Sequence, residues 1–384
     1  MLRTFGEAYR SEYALTREQL RVFNDLLACR TERLGGHLDV CDRCGHEVPS
    51  YNSCRNRHCM KCQSLRQAKW VLERMQRILP VPYFHVVFTV PSELAPIARR
   101  NRRVFYDLLF DAASRTLLDL ARDPTRLGGT PGVTAVLHTW RRDLGYHPHV
   151  HCIVTGGGLA LDGSSWVSPR YGERFLFPVQ VISRLFRGKF LDSLARAADA
   201  GDVVLGDGDA AVEQQAFAEL KAVLYRKEWV TYAKRPFAGP DQVLRYLGLY
   251  THRVGISNHR LVAMDEHGVT FGTKDRKTVT LSGVEFIRRF LQHVLPDRFV
   301  KVRHYGLHAP SNVNTKLVRA RALLAAEGRT ASPPEVPASS SELVEQLIGR
   351  DPGQCPACKQ GPLRRFKIDF STGELTPVAW PDTS

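Results

Sequence analysis

Nine cysteines occur in 384 residues, and their spacing limits the fold more than any other feature. Six fall between Cys29 and Cys62, Cys355 and Cys358 form an isolated pair near the other end, and Cys152 stands alone. The opening stretch "MLRTFGEAYRSEYALTREQL" lacks the apolar core of a secretory signal. No apolar run approaches the ~18 residues that span a bilayer. The expected location is therefore a reducing cytoplasm, where clustered cysteines serve as metal ligands rather than disulfides.

The centre of the cluster is two CxxC turns, Cys41/Cys44 and Cys59/Cys62, with fourteen residues between them. Each such turn brings two thiolates to about 2.3 Å from one tetrahedral Zn²⁺, so these four are the expected first zinc site. Cys29, His37, Cys54 and His58 remain. They make a possible second site interleaved with the first, or His37 and His58 are surface or DNA-contacting residues. Cys355-Pro-Ala-Cys358 is half a knuckle with no Cys or His after it, so any further ligands must come from elsewhere. A four-cysteine site is closed and structural and does no chemistry.

The chain carries 54 Lys and Arg against 39 Asp and Glu, a formal charge of +15. Such a field favours a polyanionic partner, most often nucleic acid. Arg55, Arg57, Lys61, Arg66 and Lys69, within and just beyond the cysteine cluster, either track phosphates or form a solvated basic face. No glycine loop of the Walker type is present, so nucleotide hydrolysis is not indicated.

Pattern divides the chain into a cysteine-rich segment (1–75), a long central segment (78–310) and a linker with a small tail (311–384). A helix is expected near 14–29, a strand at 83–90, and a long helical stretch over 92–122. Strands at 132–140 and 147–157 flank the polar "RRDLGY" and read as a hairpin, ended by Gly156, Gly157 and Gly158. Helices follow near 178–200 and 210–226, a strand at 228–234, a helix at 239–253, short strands within 258–282 and a helix at 283–295. "EGRTASPPEVPASSSE" (327–342) reads as a linker. The order implies an α+β fold with a largely antiparallel central sheet and flanking helices.

Two features of the central segment carry chemistry. "YHPHVHCIV" alternates imidazoles, so His149 and His151 share a strand face roughly 6.5–7 Å apart, close enough for one cation to sit between them. Pairing of the hairpin brings His138 roughly opposite one of them as a third ligand. His85 is the next choice, and His147 a further one. An open site of this kind polarises carbonyls, activates water or clamps phosphates, and the basic chain favours the phosphate. "RYLGLY" then places Tyr246 and Tyr250 on one face of a helix. A phenol attacking a metal-stabilised phosphodiester would leave a covalent phosphotyrosine, and two side by side would allow two strand transfers. The spacing is equally that of two packing residues, with Val243 and Leu247 towards the core.

In order, "SCRNRHCMKCQS" (53–64), "YFHVVFTVP" (83–91), "HPHVHCIVTGGG" (147–158), "YLGLYTHRVGISNHRL" (246–261), "EFIRRFLQHVLP" (285–296) and "VRHYGLHA" (302–309) resemble the rolling-circle transposases of bacterial insertion sequences, the insertion-sequence-91 family. The resemblance covers roughly residues 15–310. His149-Val150-His151 resembles the histidine–hydrophobic–histidine motif of HUH endonucleases, and Tyr246 and Tyr250 resemble their two-tyrosine branch. The resemblance implies Mg²⁺ or Mn²⁺ held by His149, His151 and a third ligand, a 5′-phosphotyrosine intermediate, and single-stranded DNA at element ends together with target DNA. It also implies a bacterial, nucleoid-associated protein, and makes Lys234, Arg245, His252 and Arg253 candidate phosphate contacts. Of Tyr225, Trp229, Tyr232 and Phe237, most are expected to pack in the core rather than stack on bases. A plasmid relaxase or replication initiator would share the chemistry. A non-catalytic zinc regulator of DNA is the rival from another class, with no reason to keep both histidines and both tyrosines.

Overall fold

The computed structural model describes residues 1–172, 174–234, 248, 255–274, 276–331 and 334–379. The fold is α+β with a central antiparallel sheet, as the pattern of elements implies. Contacts divide the chain differently from the linear cut at 75 and 310. One unit gathers Met1–Glu73, His252–Val294 and Pro334–Ser384; the other holds Arg74–Thr251 and Leu295–Pro333.

The first unit is built on β1 (Gly36–Cys41) and β2 (Glu47–Tyr51), a hairpin that β14 (Leu363–Ile368) and β15 (Leu375–Val378) extend in the order β15-β14-β1-β2. The sequence pattern leaves the tail as an appendage. Its strand instead pairs with β1 from Gly36↔Ile368 to Cys41↔Leu363. The helix expected near 14–29 is α2 (Arg17–Ala28), and a further helix, α1 (Leu2–Glu12), precedes it. The break falls where Thr16 caps α2 in a reciprocal box with Gln19, which satisfies donors that a continuous helix would have used. The short strands expected after residue 258 form a three-stranded meander, β10 (Leu261–Met264), β11 (Val269–Gly272) and β12 (Thr278–Leu281). A helix at Gly283–Leu291 follows, capped by Ser282.

The second unit holds a five-stranded antiparallel sheet. Its members are β3 (Tyr83–Thr89), β5 (Gly132–Trp140), β6 (Tyr146–Thr155), β9 (Thr231–Lys234) and β13 (Val302–Gly306), in the order β13-β5-β6-β3-β9. Strand alternation gives it two unlike faces. Phe84, Val86 and Phe88, with Val133, Ala135, Leu137, Val150, Cys152 and Val154, form a fully buried apolar face. Two helices cover it, α3 (Arg102–Arg122) and α4 (Val179–Asp199), through Phe105, Leu109, Phe110, Phe186 and Phe190. Each such side chain contributes about 1.5–3 kcal/mol by burial. The opposite face carries the alternate residues, among them His85, Thr134, His138, His149 and His151.

The helical stretch expected over 92–122 is interrupted at Asn101. Its side-chain amide donates to the carbonyls of Ile97 and Val204 and accepts from the Val204 amide, so it ties the helix junction to a distant loop. At the end of β6 the glycines are required. Gly157 has φ +123°, and a Cβ on Gly158 would lie 2.7 Å from the backbone of Thr130. That approach lets β4 (Gly129–Thr130), β7 (Gly158–Ala160) and β8 (Trp166–Val167) form a small second sheet. No helix among the described residues is long and apolar enough to cross a membrane.

Candidate functional site

The hairpin of β5 and β6 turns through Arg141–Gly145, where the Arg141 amide donates to the Gly145 carbonyl at 2.8 Å. Its register sets His138 opposite His149 and Val136 opposite His151, with an irregularity between His138 and Trp140. Directly paired residues of an antiparallel sheet project from the same face, so all three imidazoles converge. One ring nitrogen from each of His138, His149 and His151 lies within 4.8 Å of the other two. His138, the first choice for a third ligand, is the one that joins the pair.

The protons can be assigned in part. His149 Nδ1 lies 2.7 Å from the carbonyl oxygen of His147. A carbonyl only accepts, so Nδ1 carries the proton and Nε2 presents a lone pair. Burial pushes His149 down to about 4, so the ring is neutral near pH 7, the state a ligand requires. His85 is not in the three-nitrogen group. Its Nε2 lies 2.8 Å from His151 Nδ1, and the two rings stack with centroids 5.1 Å apart. His85 thus orients His151, as the outer partner of a metal-binding imidazole does. Three nitrogens this close, one with its tautomer fixed, fit a single divalent ion.

The same sheet face continues to a second imidazole pair that residue spacing did not single out. Thr134, on the His138 side of β5, has its Oγ1 3.1 Å from Nδ1 of both His304 and His308. Burial, then Arg74 and Arg77, pushes His304 down to about 4; burial, then His304, takes His308 to about 3. The only signal was that "VRHYGLHA" belongs to the quoted family pattern.

The thiols are grouped differently from the expectation. Cys59 and Cys62 do not join Cys41 and Cys44. They meet Cys29 and Cys54, with Sγ separations of 3.6 Å (Cys29–Cys59), 3.1 Å (Cys29–Cys62) and 3.8 Å (Cys54–Cys62). Cys41 and Cys44 instead meet Cys355 and Cys358. Neither His37 nor His58 is a member of either group. The reason lies in the sheet: β1 ends at Cys41 beside Leu363 of β14, which brings the tail's CxxC to the knuckle that follows β1. His37 sits within β1, opposite Ser50 and Lys367. His58 is held by Asn56 Oδ1, which accepts from its amide at 2.9 Å. Hydrogen bonding from Cys54 lowers the Cys59 thiol to about 5 and raises Cys54 in turn. Counting alone divides the eight cysteines other than Cys152 into two sets of four, but it does not say which cysteines share a set.

Around the first thiol group Arg55, Arg57, Lys61, Arg66 and Lys69 are all exposed. A cavity of about 280 Å³ opens beside it, lined by Arg57, His58, Gln63 and Gln67 and by Ser257 and His259. Of the aromatics, Trp229 is buried against Phe186 and Phe190, while Tyr225 and Tyr232 are exposed. Tyr246, Tyr250, Arg245, His252, Arg253 and Phe237 lie outside the described residues, as does the helix expected at 239–253 apart from Gly248. Lys234 closes β9, its backbone opposite His85.

Comparison with known proteins gives this geometry a family context. Residues 132–316 match a family model described as "Putative transposase", and residues 1–90 match one described as "Transposase zinc-binding domain". With the thiol groups, the second match supports structural Zn²⁺ in this chain. The chain is 46% identical to "Putative transposase y4qJ" of Sinorhizobium fredii (strain NBRC 101917 / NGR234), over all of this chain and 98% of that one. It is 26% identical to "Transposase for insertion sequence element IS801" of Pseudomonas savastanoi pv. phaseolicola, over 88% of this chain and 82% of that one. No solved structure matches significantly.

Proposed function

Because the chain belongs to the insertion-sequence-91 family of transposases, we propose that it nicks and rejoins single-stranded DNA at the ends of a mobile element through a 5′-phosphotyrosine intermediate. The observation that carries the reading is the convergence of His138, His149 and His151 on one face of the central sheet. These three residues would hold the divalent ion, which when bound would draw charge from the phosphate under attack. An all-nitrogen donor set suits a transition ion better than Mg²⁺, so of the two expected ions Mn²⁺ fits these donors better.

The rest of the reaction falls to the chain's own groups. Tyr246 and Tyr250 are the nucleophiles in this proposal. A phenolic oxygen bonds to phosphorus, the bond from phosphorus to the 3′ oxygen breaks, and the proton lost by the phenol balances the one gained by the departing 3′ hydroxyl. The phosphotyrosine keeps the energy of the broken bond, so religation to target DNA needs no nucleotide. His147 fixes the tautomer of His149 through its carbonyl, and His85 fixes the orientation of His151. Lys234, Arg245 and Arg253 are proposed phosphate contacts flanking the tyrosines. Arg55, Arg57 and Lys61 are proposed to track the DNA backbone from the zinc module, and their exposure supports this. Such a protein would work in the bacterial cytoplasm, on the nucleoid.

The test uses a labelled single strand carrying the element's end, with Mn²⁺ or Mg²⁺. A covalent adduct through the 5′ phosphate created at the nick is expected, on the fragment that lies 3′ of it. It should be lost with EDTA, in His149→Ala/His151→Ala and in Tyr246→Phe/Tyr250→Phe. An adduct that survives the double Phe variant removes the tyrosines as nucleophiles. Tight binding with no adduct under any condition points instead to the regulator.

A further inference from the structure

The domain model for zinc binding ends at residue 90, yet one of the two thiol groups draws half its members from beyond residue 350. We propose that Cys41, Cys44, Cys355 and Cys358 bind a second structural Zn²⁺, which joins the two ends of the chain and makes the tail an integral part of the zinc module. The proposal stands apart from the reaction at the imidazoles.

Sulfur spacing is the first support. Cys41 Sγ lies 3.7 Å from Cys358 Sγ, and Cys44 Sγ 3.7 Å from Cys355 Sγ. A tetrahedron of sulfurs about 2.3 Å from a central zinc has edges of about 3.8 Å. A disulfide would need about 2.05 Å. The separations are those of a tetrahedral thiolate site, and they lie close to the Cys29–Cys59 (3.6 Å) and Cys54–Cys62 (3.8 Å) separations of the other group.

The backbone gives an independent second support. The two CxxC turns fold alike although their sequences share only the cysteines. The residue after the second cysteine is left-handed in both, Gly45 at φ +70° and Lys359 at φ +56°. Each of these amides donates to the carbonyl of the first cysteine at 3.0 Å, Gly45 to Cys41 and Lys359 to Cys355. Amides of both turns also point at sulfur, Arg43 N–H at Cys41 Sγ (3.4 Å) and Gly361 N–H at Cys358 Sγ (3.3 Å). Lysine pays a conformational penalty in the left-handed region that glycine does not, so the second turn adopts this shape against its own preference. Aligning amide dipoles on thiolates gives that shape a purpose.

The sheet explains how such distant residues meet. Cys44 and Cys355 are separated by 311 positions. Pairing of β14 with β1 sets the register that lays one turn against the other. A buried ion pair, with Arg365 Nε and Nη2 donating to the two Asp39 oxygens at 2.6 and 2.7 Å, locks that register. Gly361 is confined by the same approach, since a Cβ there would lie 2.5 Å from Cys41 Sγ. Neither end of the chain holds more than two of the four ligands, so this zinc site cannot close until the tail has been made.

The test is zinc content of the full-length protein, purified under reducing conditions and measured by mass spectrometry of the metal. Two Zn²⁺ per chain are expected. Cys355→Ser/Cys358→Ser should retain one, as should Cys54→Ser/Cys59→Ser. Should the tail variant not fold, graded chelation of the unaltered protein followed by thiol alkylation and peptide mapping decides the matter. Cys41, Cys44, Cys355 and Cys358 should then become reactive together, separately from the other four. A single zinc lost only in Cys54→Ser/Cys59→Ser overturns the proposal. So does reactivity of Cys355 and Cys358 in fully metallated protein, or disulfides linking Cys41 to Cys358 and Cys44 to Cys355.

Discussion

His85 offers the sharpest test of how the imidazole site is organised. It is 3% exposed, on the neighbouring strand to His151 and diagonal to it in the register. For His151 to present Nε2 to an ion, its Nδ1 must carry the proton and donate to His85 Nε2, 2.8 Å away. His85→Leu keeps an apolar bulk in the sheet but removes the acceptor, and the His151 tautomer is no longer fixed. Loss of such an outer partner costs roughly 10–100-fold in metal affinity, about 1.4–2.8 kcal/mol. Manganese titration followed by electron paramagnetic resonance of the free ion should show that weakening, with adduct formation falling in parallel at limiting Mn²⁺ and recovering when Mn²⁺ is raised. His85→Gln retains an acceptor oxygen and should recover part of the affinity. Unchanged Mn²⁺ binding in His85→Leu, alongside complete loss in His149→Ala, would refute the reasoning and reduce His85 to a packing residue.

Thr155 is fully buried, and its hydroxyl accepts from the Gly132 amide at 2.9 Å and donates to the Gly157 carbonyl at 2.8 Å. Thr155→Val keeps the shape and orphans both groups, so urea unfolding should show a loss of about 2–4 kcal/mol, against about 1 kcal/mol for Thr155→Ser. Glu285 is lowered to about 2, chiefly by hydrogen bonds from Arg288, with Arg289 adding to them. A depressed carboxylate stabilises the fold above its unfolded pKa, near 4.3, and that stabilisation fades as pH falls towards 2. Glu285→Gln should therefore flatten the acid limb of thermal stability in that window. It should cost only about 0.5–1 kcal/mol at pH 7, because solvent screens Arg288.

How far the site could be read from sequence depends on the range of each interaction. Alternation along β6 is local, so His149 and His151 could be paired from spacing alone. The third imidazole needed only the hairpin, and a short polar connection between two strands made His138 legible too. The role of His85 was not legible, since it depends on β3 lying beside β6 in the register observed. His304 and His308 were further out of reach, because they join the same face only through the pairing of β13 with β5.

By itself, then, the sequence determined the α+β class, the imidazole strand, the basic charge and the presence of thiolate metal sites. All of these follow from residue type and short spacing. Only the tertiary structure decided which four thiols share a site. Cys44 is fifteen positions from Cys59 and 311 from Cys355, and it takes the distant partner. The physical reason is that four sulfurs must reach the corners of a tetrahedron a few ångströms across, and β-sheet pairing, not separation along the chain, fixes which cysteines come that close.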